Sequence, residues 1–410
     1  MNILIVSSSD INGGAARAAY RLHKSLLMRD INSQMLVLNK SSDDFSVLGP
    51  DSKYEKIKNA IKPIIDSVPV RLHKNRSLTP FSTSWIRSDS IVKKINELNP
   101  DIVHLHWING GMIRIEDLTK IKAPIVWSLH DMWAFTGGCH YNENCNNFKN
   151  VCGKCSVLRS SRDRDLSNWV FKRKRKAFKN INRLVIVGLS KWLADCAKES
   201  MLLKNVPVIN LPNPIDTEIF KLSDKDVARD LWNLPKNKKL VLFGAMGATS
   251  DPRKGFKELS SAFDKIERDD VEFVVFGASE PSEPPKVGCK VNYVGCLSDQ
   301  ISLVSLYNAV DVMVVPSLQE NLSNAIMESL SCGTPVIAFD IGGNSDLIEH
   351  KINGYLAKPF SGNDLAHGID WVLGHEQYLK ICKNARKKVI AEFESNVVSC
   401  KYIDLYKKCI

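Results

Sequence analysis

Two glutamates stand eight positions apart in Pro316-Ser317-Leu318-Gln319-Glu320-Asn321-Leu322-Ser323-Asn324-Ala325-Ile326-Met327-Glu328, directly after an apolar run. The pattern predicts a strand ending at Pro316, a turn carrying Glu320, and a helix that brings Glu328 near the same face about two turns on. At the start of such a helix the N–H groups of Asn321, Leu322, Ser323 and Asn324 lack intrahelical partners and can meet an anion or sugar hydroxyls. Taken alone, two carboxylates on a helix more often mark a solvated surface than a site. Near the N-terminus, Gly13 and Gly14 lie between an apolar run and a helical pattern. Paired glycines there let backbone N–H groups approach a phosphate, although a tight turn alone needs the same residues. The full dinucleotide fingerprint is missing, which disfavours a nicotinamide enzyme.

A third cluster is sulfur. Cys139, Cys145, Cys152 and Cys155 are spaced with five, six and two residues between them, within a loop spanning 137–158. Four thiols so close, ending in Cys-x-x-Cys, suit a tetrahedral structural Zn²⁺, with His140 as a substitute ligand. Reduced thiols, disulfides or another metal are the alternatives. A catalytic zinc is not expected, because four thiols would fill its coordination sphere.

The elements that must position these residues follow a repeating rhythm. Short apolar runs at Asn2–Ser8, Gln34–Leu38, Asp101–Trp107, Ile125–Leu129 and Leu184–Leu189 alternate with helical patterns such as Gly14–Met28. The rhythm restarts at Lys239–Gly244, Val271–Gly277, Val291–Gly295, Asp311–Pro316 and Pro335–Phe339. Both halves predict a doubly wound parallel α/β sheet. The two prolines of Leu211-Pro212-Asn213-Pro214-Ile215-Asp216 predict a linker between them. A chain of 410 residues suits two such domains. Beyond about Leu365 the pattern is helical, with a last helix free to return to the first domain. Open α/β sheets bind ligands at the carboxyl ends of their strands, so two sheets facing across a cleft would suit a diphosphate.

Lys and Arg exceed Asp and Glu by 56 to 45, which favours anionic partners. Much of the excess falls between Arg159 and Lys179, where Trp169, Phe171 and Phe178 interleave with the basic residues. That mixture fits a helix lying on an anionic membrane surface, or a solvated helix face. Lys53–Lys62 is a second, weaker candidate. No run reaches the ~18 apolar residues of a membrane span. The N-terminus lacks the basic flank and cleavage site of a signal peptide, so a cytoplasmic location, peripheral to the inner membrane face, is expected. Eleven cysteines then argue against a disulfide framework.

The glutamate pair, together with Ser331-Cys332-Gly333-Thr334-Pro335-Val336-Ile337-Ala338-Phe339-Asp340-Ile341-Gly342-Gly343 and Asn353-Gly354-Tyr355-Leu356, resembles the retaining glycosyltransferases of the fourth sequence family, which have the GT-B fold. Bacterial members build lipopolysaccharide, O-antigen and exopolysaccharide. The resemblance runs from the Gly13-Gly14 turn to about Leu373, and a similar cysteine loop after His-Asp-Met-Trp marks a subset of polysaccharide transferases. It implies an acceptor-binding domain at 1–212, a nucleotide-sugar-binding domain at 213–392, and a C-terminal helix at 393–410 returning to the first domain. It further implies that Glu328 holds the donor ribose, that Glu320 sits beside the transferred sugar with Asn321, Leu322, Ser323 and Asn324, and that Gly14 approaches the phosphates. Asp251-Pro252-Arg253-Lys254-Gly255 resembles the basic motif in which the lysine, here Lys254, pairs with the diphosphate. Where the family commonly adds an arginine this chain has Ala248, leaving Arg253 or another base to compensate. His130, in Val126-Trp127-Ser128-Leu129-His130-Asp131, matches a histidine near the reaction centre; Ser190, Asn213 and Asp216 match positions beside the cleft.

The activity implied is transfer of a hexose-type sugar from a UDP- or GDP-sugar to an undecaprenyl-diphosphate-linked saccharide, with no metal needed for catalysis. A GT-B nucleotide-sugar epimerase or hydrolase is the alternative within enzymes. A zinc-stapled basic protein binding nucleic acid through Arg159–Lys179 is the alternative outside them, although no nucleic-acid module is visible and nucleic acid is not an expected partner.

Overall fold

The computed structural model describes residues 1–244, 251–266, 268–278, 288–297 and 299–410. They form two compact units, one of Met1–Pro214 with Val398–Ile410, the other of Ile215–Val397.

The first unit is built on β1 (Asn2–Ser9), β2 (Asn32–Asn39), β3 (Val47–Leu48), β4 (Ile102–Leu105), β5 (Ile125–Leu129), β6 (Leu184–Gly188) and β7 (Val208–Asn210). They lie in the order β3-β2-β1-β4-β5-β6-β7, all parallel. Ile3, Leu4, Ile5 and Val6 of β1 are all buried, because helices cover both faces of such a sheet. Truncating the fully enclosed Ile5 to Ala would cost about 2–5 kcal/mol. Helix α1 (Gly14–Leu27) covers one face with Ala19, Leu22 and Leu26, and Val398, Tyr402 and Tyr406 of the final helix, Ser395–Cys409, pack into the same cluster.

The second unit holds β8 (Lys239–Gly244), β9 (Val271–Phe276), β10 (Val291–Tyr293), β11 (Val312–Val315), β12 (Val336–Phe339) and β13 (Gly354–Ala357). Among the described residues their order is β10-β9-β8-β11-β12-β13, again parallel. In each sheet the winding reverses beside the first strand, between β1 and β4 and between β8 and β11. Ligands of doubly wound sheets bind beyond the carboxyl ends of the strands at such a reversal.

One expectation changes here. The basic segment forms the helix Leu166–Phe178, but Phe171 and Phe178 face the core, Lys174 is fully enclosed, and Arg173 is held by Glu116 and by the carbonyls of Thr83 and Ser84. Phe171 and Phe178 thus belong to the core, while Trp169 stays exposed with the Arg173 guanidinium 4.3 Å over its ring.

Candidate active site

At the carboxyl end of β8 the short turn Pro252–Lys254 is closed by Gly255, whose φ of +72° and packing leave no room for a side chain. A Cβ at Gly255 would stand 1.8 Å from the carbonyl oxygen of Pro316. The Leu318 amide donates to the Arg253 carbonyl at 2.8 Å, tying this turn to the segment after β11. The result brings Lys254 Nζ to 3.7 Å from Glu320 Oε2, both side chains partly open to solvent. Arg253 instead clasps its neighbour, donating to Asp251 from Nε at 3.1 Å and Nη2 at 2.7 Å. Burial pushes the Asp251 carboxyl up, but the hydrogen bonds and charge of Arg253 outweigh it and hold it below its ordinary range. Ala248 lies outside the described residues.

The helix after Glu320 starts later than expected. It spans Asn324–Ser331, with Ser323 as its cap accepting from the Ile326 amide at 3.4 Å. Glu320 therefore stands in the turn ahead of the helix, and its eight-residue separation from Glu328 is not a helical one. Asn321, Leu322 and Ser323 are buried in that turn. Glu328, also buried, accepts a hydrogen bond from the Tyr307 hydroxyl at 2.9 Å, and Tyr307 belongs to the neighbouring helix Gln300–Ala309.

In the first unit, Gly13 caps α1 with φ +94°, a conformation that side chains disfavour, and Gly14 opens the helix. Beyond β4 and β5 lies a connected set of rings. His130 Nε2 is 2.9 Å from His106 Nδ1. One strand position back on the same face, His104 bonds Tyr406 Oη at 2.6 Å and Ser128 Oγ at 2.8 Å, and Ser128 meets Tyr402 Oη at 3.2 Å. Burial lowers His104 to about 3 and His130 to about 4, and holds His106 well below its usual range, so all three are neutral near pH 7. A neutral His130 can exchange hydrogen bonds with a sugar hydroxyl but carries no charge. Asp131 accepts from Trp107 Nε1 at 3.2 Å and pairs with His140 Nδ1 at 2.6 Å.

Against known proteins, the model of glycosyltransferase family 4 matches residues 12–219 and that of group 1 glycosyl transferases matches residues 237–375. The chain belongs to glycosyltransferase family 4. An uncharacterized glycosyltransferase of Methanocaldococcus jannaschii is 30% identical over 75% of this chain and 82% of its own. A putative colanic acid biosynthesis glycosyl transferase of Escherichia coli is 26% identical over 82% and 83% of the two chains. An α-1,3-N-acetylgalactosaminyltransferase of Campylobacter jejuni, named for an N,N'-diacetylbacillosaminyl-diphospho-undecaprenol acceptor, is 27% identical over 43% and 47%. In fold, the sucrose-phosphate synthase of Thermosynechococcus elongatus matches with a TM-score of 0.68 at 17% identity, covering 99% of this chain and 98% of that one. The two sheets of this glycosyltransferase are those of the GT-B class.

The cysteine loop of the glycosyltransferase is less metal-like than its spacing. Cys139, Cys152 and Cys155 are close enough to disfavour one another's ionisation, yet among the described residues no three Cys, His, Asp or Glu side chains are arranged to hold a metal ion. Burial, reinforced by Cys145 and Cys155, pushes the Cys152 thiol up to about 12, and burial reinforced by Asp165 and Cys145 pushes the Cys155 thiol up to about 11. His140 cannot replace a thiol, since Nδ1 is taken by Asp131 and Nε2 by Ser82 and Asn109. Lys174 enters the same interior, lies 3.7 Å over the Trp133 ring, and donates to the carbonyls of Trp133 and Thr136.

Tyr307, His104 and His106 belong to none of the sequence motifs described above. His104 lies in β4 and His106 directly after it, two positions on, and that period of two places both on one face.

Proposed function

We propose that this glycosyltransferase moves a hexose-type sugar, with retention of anomeric configuration, from a UDP- or GDP-sugar to an undecaprenyl-diphosphate-linked saccharide during bacterial surface polysaccharide synthesis. The observation that carries the donor half is the Lys254–Glu320 approach, built by the Gly255–Pro316 contact. It sets one cation and one carboxylate together where a doubly wound sheet binds its ligand. Lys254 faces the donor diphosphate and stabilises the charge that develops on it as the bond to the sugar breaks. Arg253 holds the turn through Asp251. Glu328, oriented by Tyr307, accepts from the donor ribose, while Glu320, Asn321, Leu322, Ser323 and Asn324 contact the sugar. In the first unit, Gly14 approaches a phosphate and neutral His130 bonds a sugar hydroxyl. The acceptor oxygen bonds the anomeric carbon on the face that the phosphate leaves, and the hydroxyl proton passes to the departing phosphate oxygen. No metal is assigned to this step.

The acceptor half draws on the colanic acid and undecaprenol relatives. No helix among the described residues is long and apolar enough to cross a membrane, and the enzyme is proposed to work peripherally at the inner face of the cytoplasmic membrane. A structural Zn²⁺ on Cys139, Cys145, Cys152 and Cys155 is also proposed; binding would have to draw the four thiols together, since they form no ligand set as they stand. Incubation with radiolabelled UDP- or GDP-sugars and a lipid-linked saccharide tests the function. Label should appear in the lipid product with the donor's anomeric configuration. Release of free sugar alone, or an inverted product, would overturn the assignment.

A further inference from the structure

Helix α2 (Lys53–Asp66) is turned inside out. Its buried residues are Asn59, Lys62 and Asp66, while its isoleucines face solvent. The polar residues are used inward: Asn59 Nδ2 donates to the Leu38 carbonyl at 3.1 Å, and Asp66 accepts from the Trp85 amide at 3.2 Å. Through Ser67 the helical path continues into Val68–Arg71 and Leu72 without leaving helical backbone angles. Tyr54, Ile57, Ile61, Ile64, Ile65, Val68 and Leu72 are exposed by between 41% and 79%. At 100° per residue the aliphatic members of this set fall within an arc of about 100°, opposite the buried strip.

Charge borders the stripe. Between Lys53 and Arg76 there are seven Lys or Arg residues against two acids, Glu55 and Asp66. Asp66 is buried, and Glu55 accepts from the Asp51 amide at 2.9 Å. On the helical wheel Lys53 and Arg71 fall at one edge of the apolar arc and Lys58 at the other. Among the described residues none of these three pairs with a carboxylate. An exposed aliphatic stripe would be a solubility fault in a protein that kept it in water. A stripe bordered by unpaired cations matches an anionic bilayer surface, where aliphatic side chains enter the acyl boundary and lysine stems reach back to the phosphates.

We propose that α2 and its continuation to Leu72 form the membrane-docking face of the first unit, lying flat in the headgroup region of an anionic bilayer. The proposal deepens the lipid-linked acceptor assigned above and rests on that reading for its purpose, while its geometry stands alone. It also moves the docking surface away from the helix Leu166–Phe178, where Phe171 and Phe178 are spent on the core and Trp169 alone of the aromatic residues is exposed.

Sedimentation of the full chain with vesicles tests it. The wild type should partition onto phosphatidylglycerol–phosphatidylethanolamine vesicles, weakly onto pure phosphatidylcholine, and less as salt rises. Ile61→Glu with Ile64→Glu, at exposed positions, should lower partitioning at least tenfold with an unchanged melting temperature. Lys53→Glu with Lys58→Glu should abolish the preference for anionic vesicles, and Lys172→Glu with Lys176→Glu should leave binding intact. Failure of the wild type to bind anionic vesicles, or equal binding by the isoleucine variant, would overturn the proposal. So would a wild-type dimer that the isoleucine variant breaks, because a second copy would then cover the stripe. Transfer to a short-chain, water-soluble acceptor separates the two readings: if transfer persists while wild-type vesicle binding fails, only the docking face is wrong.

Discussion

Tyr307 donates its hydroxyl hydrogen to Glu328 at 2.9 Å, from one helix to the next, and both side chains are buried. A buried carboxylate needs such a partner, and hydrogen bonds to charged groups contribute about 1.5–3 kcal/mol. Tyr307→Phe keeps the ring and removes the bond. If Glu328 holds the donor ribose, this variant should raise the donor KM about tenfold with a smaller change in kcat. A fall in kcat with KM unchanged would place Glu328 elsewhere in the reaction. Steady-state kinetics against donor concentration read the difference.

Lys254 is the cation that the Gly255–Pro316 contact brings beside Glu320. Its replacement by Ala should lower kcat by about 10²–10³, the usual loss when a group stabilising developing charge is removed. Gly255→Ala should do comparable damage without touching a charge, because the carbonyl of Pro316 occupies the added methyl's place. A Gly255→Ala enzyme with full activity would contradict the argument that this turn positions Lys254.

Stability should fall on mild acidification. His23 and His130 take a proton only near pH 4 and His104 near 3 in the folded chain, because burial disfavours the cation, and His106 follows the same direction. The unfolded chain protonates them near 6.5. Between those values the unfolded state binds more protons. The fold therefore keeps its full stability above about pH 6.5 and loses up to about 1.4 kcal/mol per pH unit for each such histidine as pH drops toward 4. Thermal melts at pH 7.5 and 5.0 check this, and an unchanged midpoint would contradict the burial of these rings.

For the cysteine loop, elemental analysis of protein purified without added metal should find one zinc per chain, and a chelator should lower the melting temperature more than it slows transfer. Four reactive thiols and no zinc would overturn that proposal.

The long strands are legible in the sequence because sheets covered on both faces demand unbroken apolar runs, as in Ile3–Val6 and Leu240–Phe243. Val47–Leu48 and Val208–Asn210 are too short to carry a period. The ring chain is hidden for a different reason: it depends on the register in which His104 lies opposite Val126, which no local pattern specifies. Lys174 sits in a run of charge that reads as surface, and only the packing around Trp133 takes it inside. In α2 the basic run Lys53–Lys62 already marks a candidate membrane-surface helix, but periodicity alone does not say that its isoleucines face outward, since isoleucines on a helix normally mark the core.

The most direct test of the donor assignment is calorimetric titration of UDP and GDP into the wild type, Lys254→Ala and Glu328→Ala. One diphosphate should bind the wild type and bind each variant at least tenfold more weakly. Equal affinity in all three proteins, or binding of neither diphosphate to the wild type, would contradict a donor site at the carboxyl edge of the second sheet.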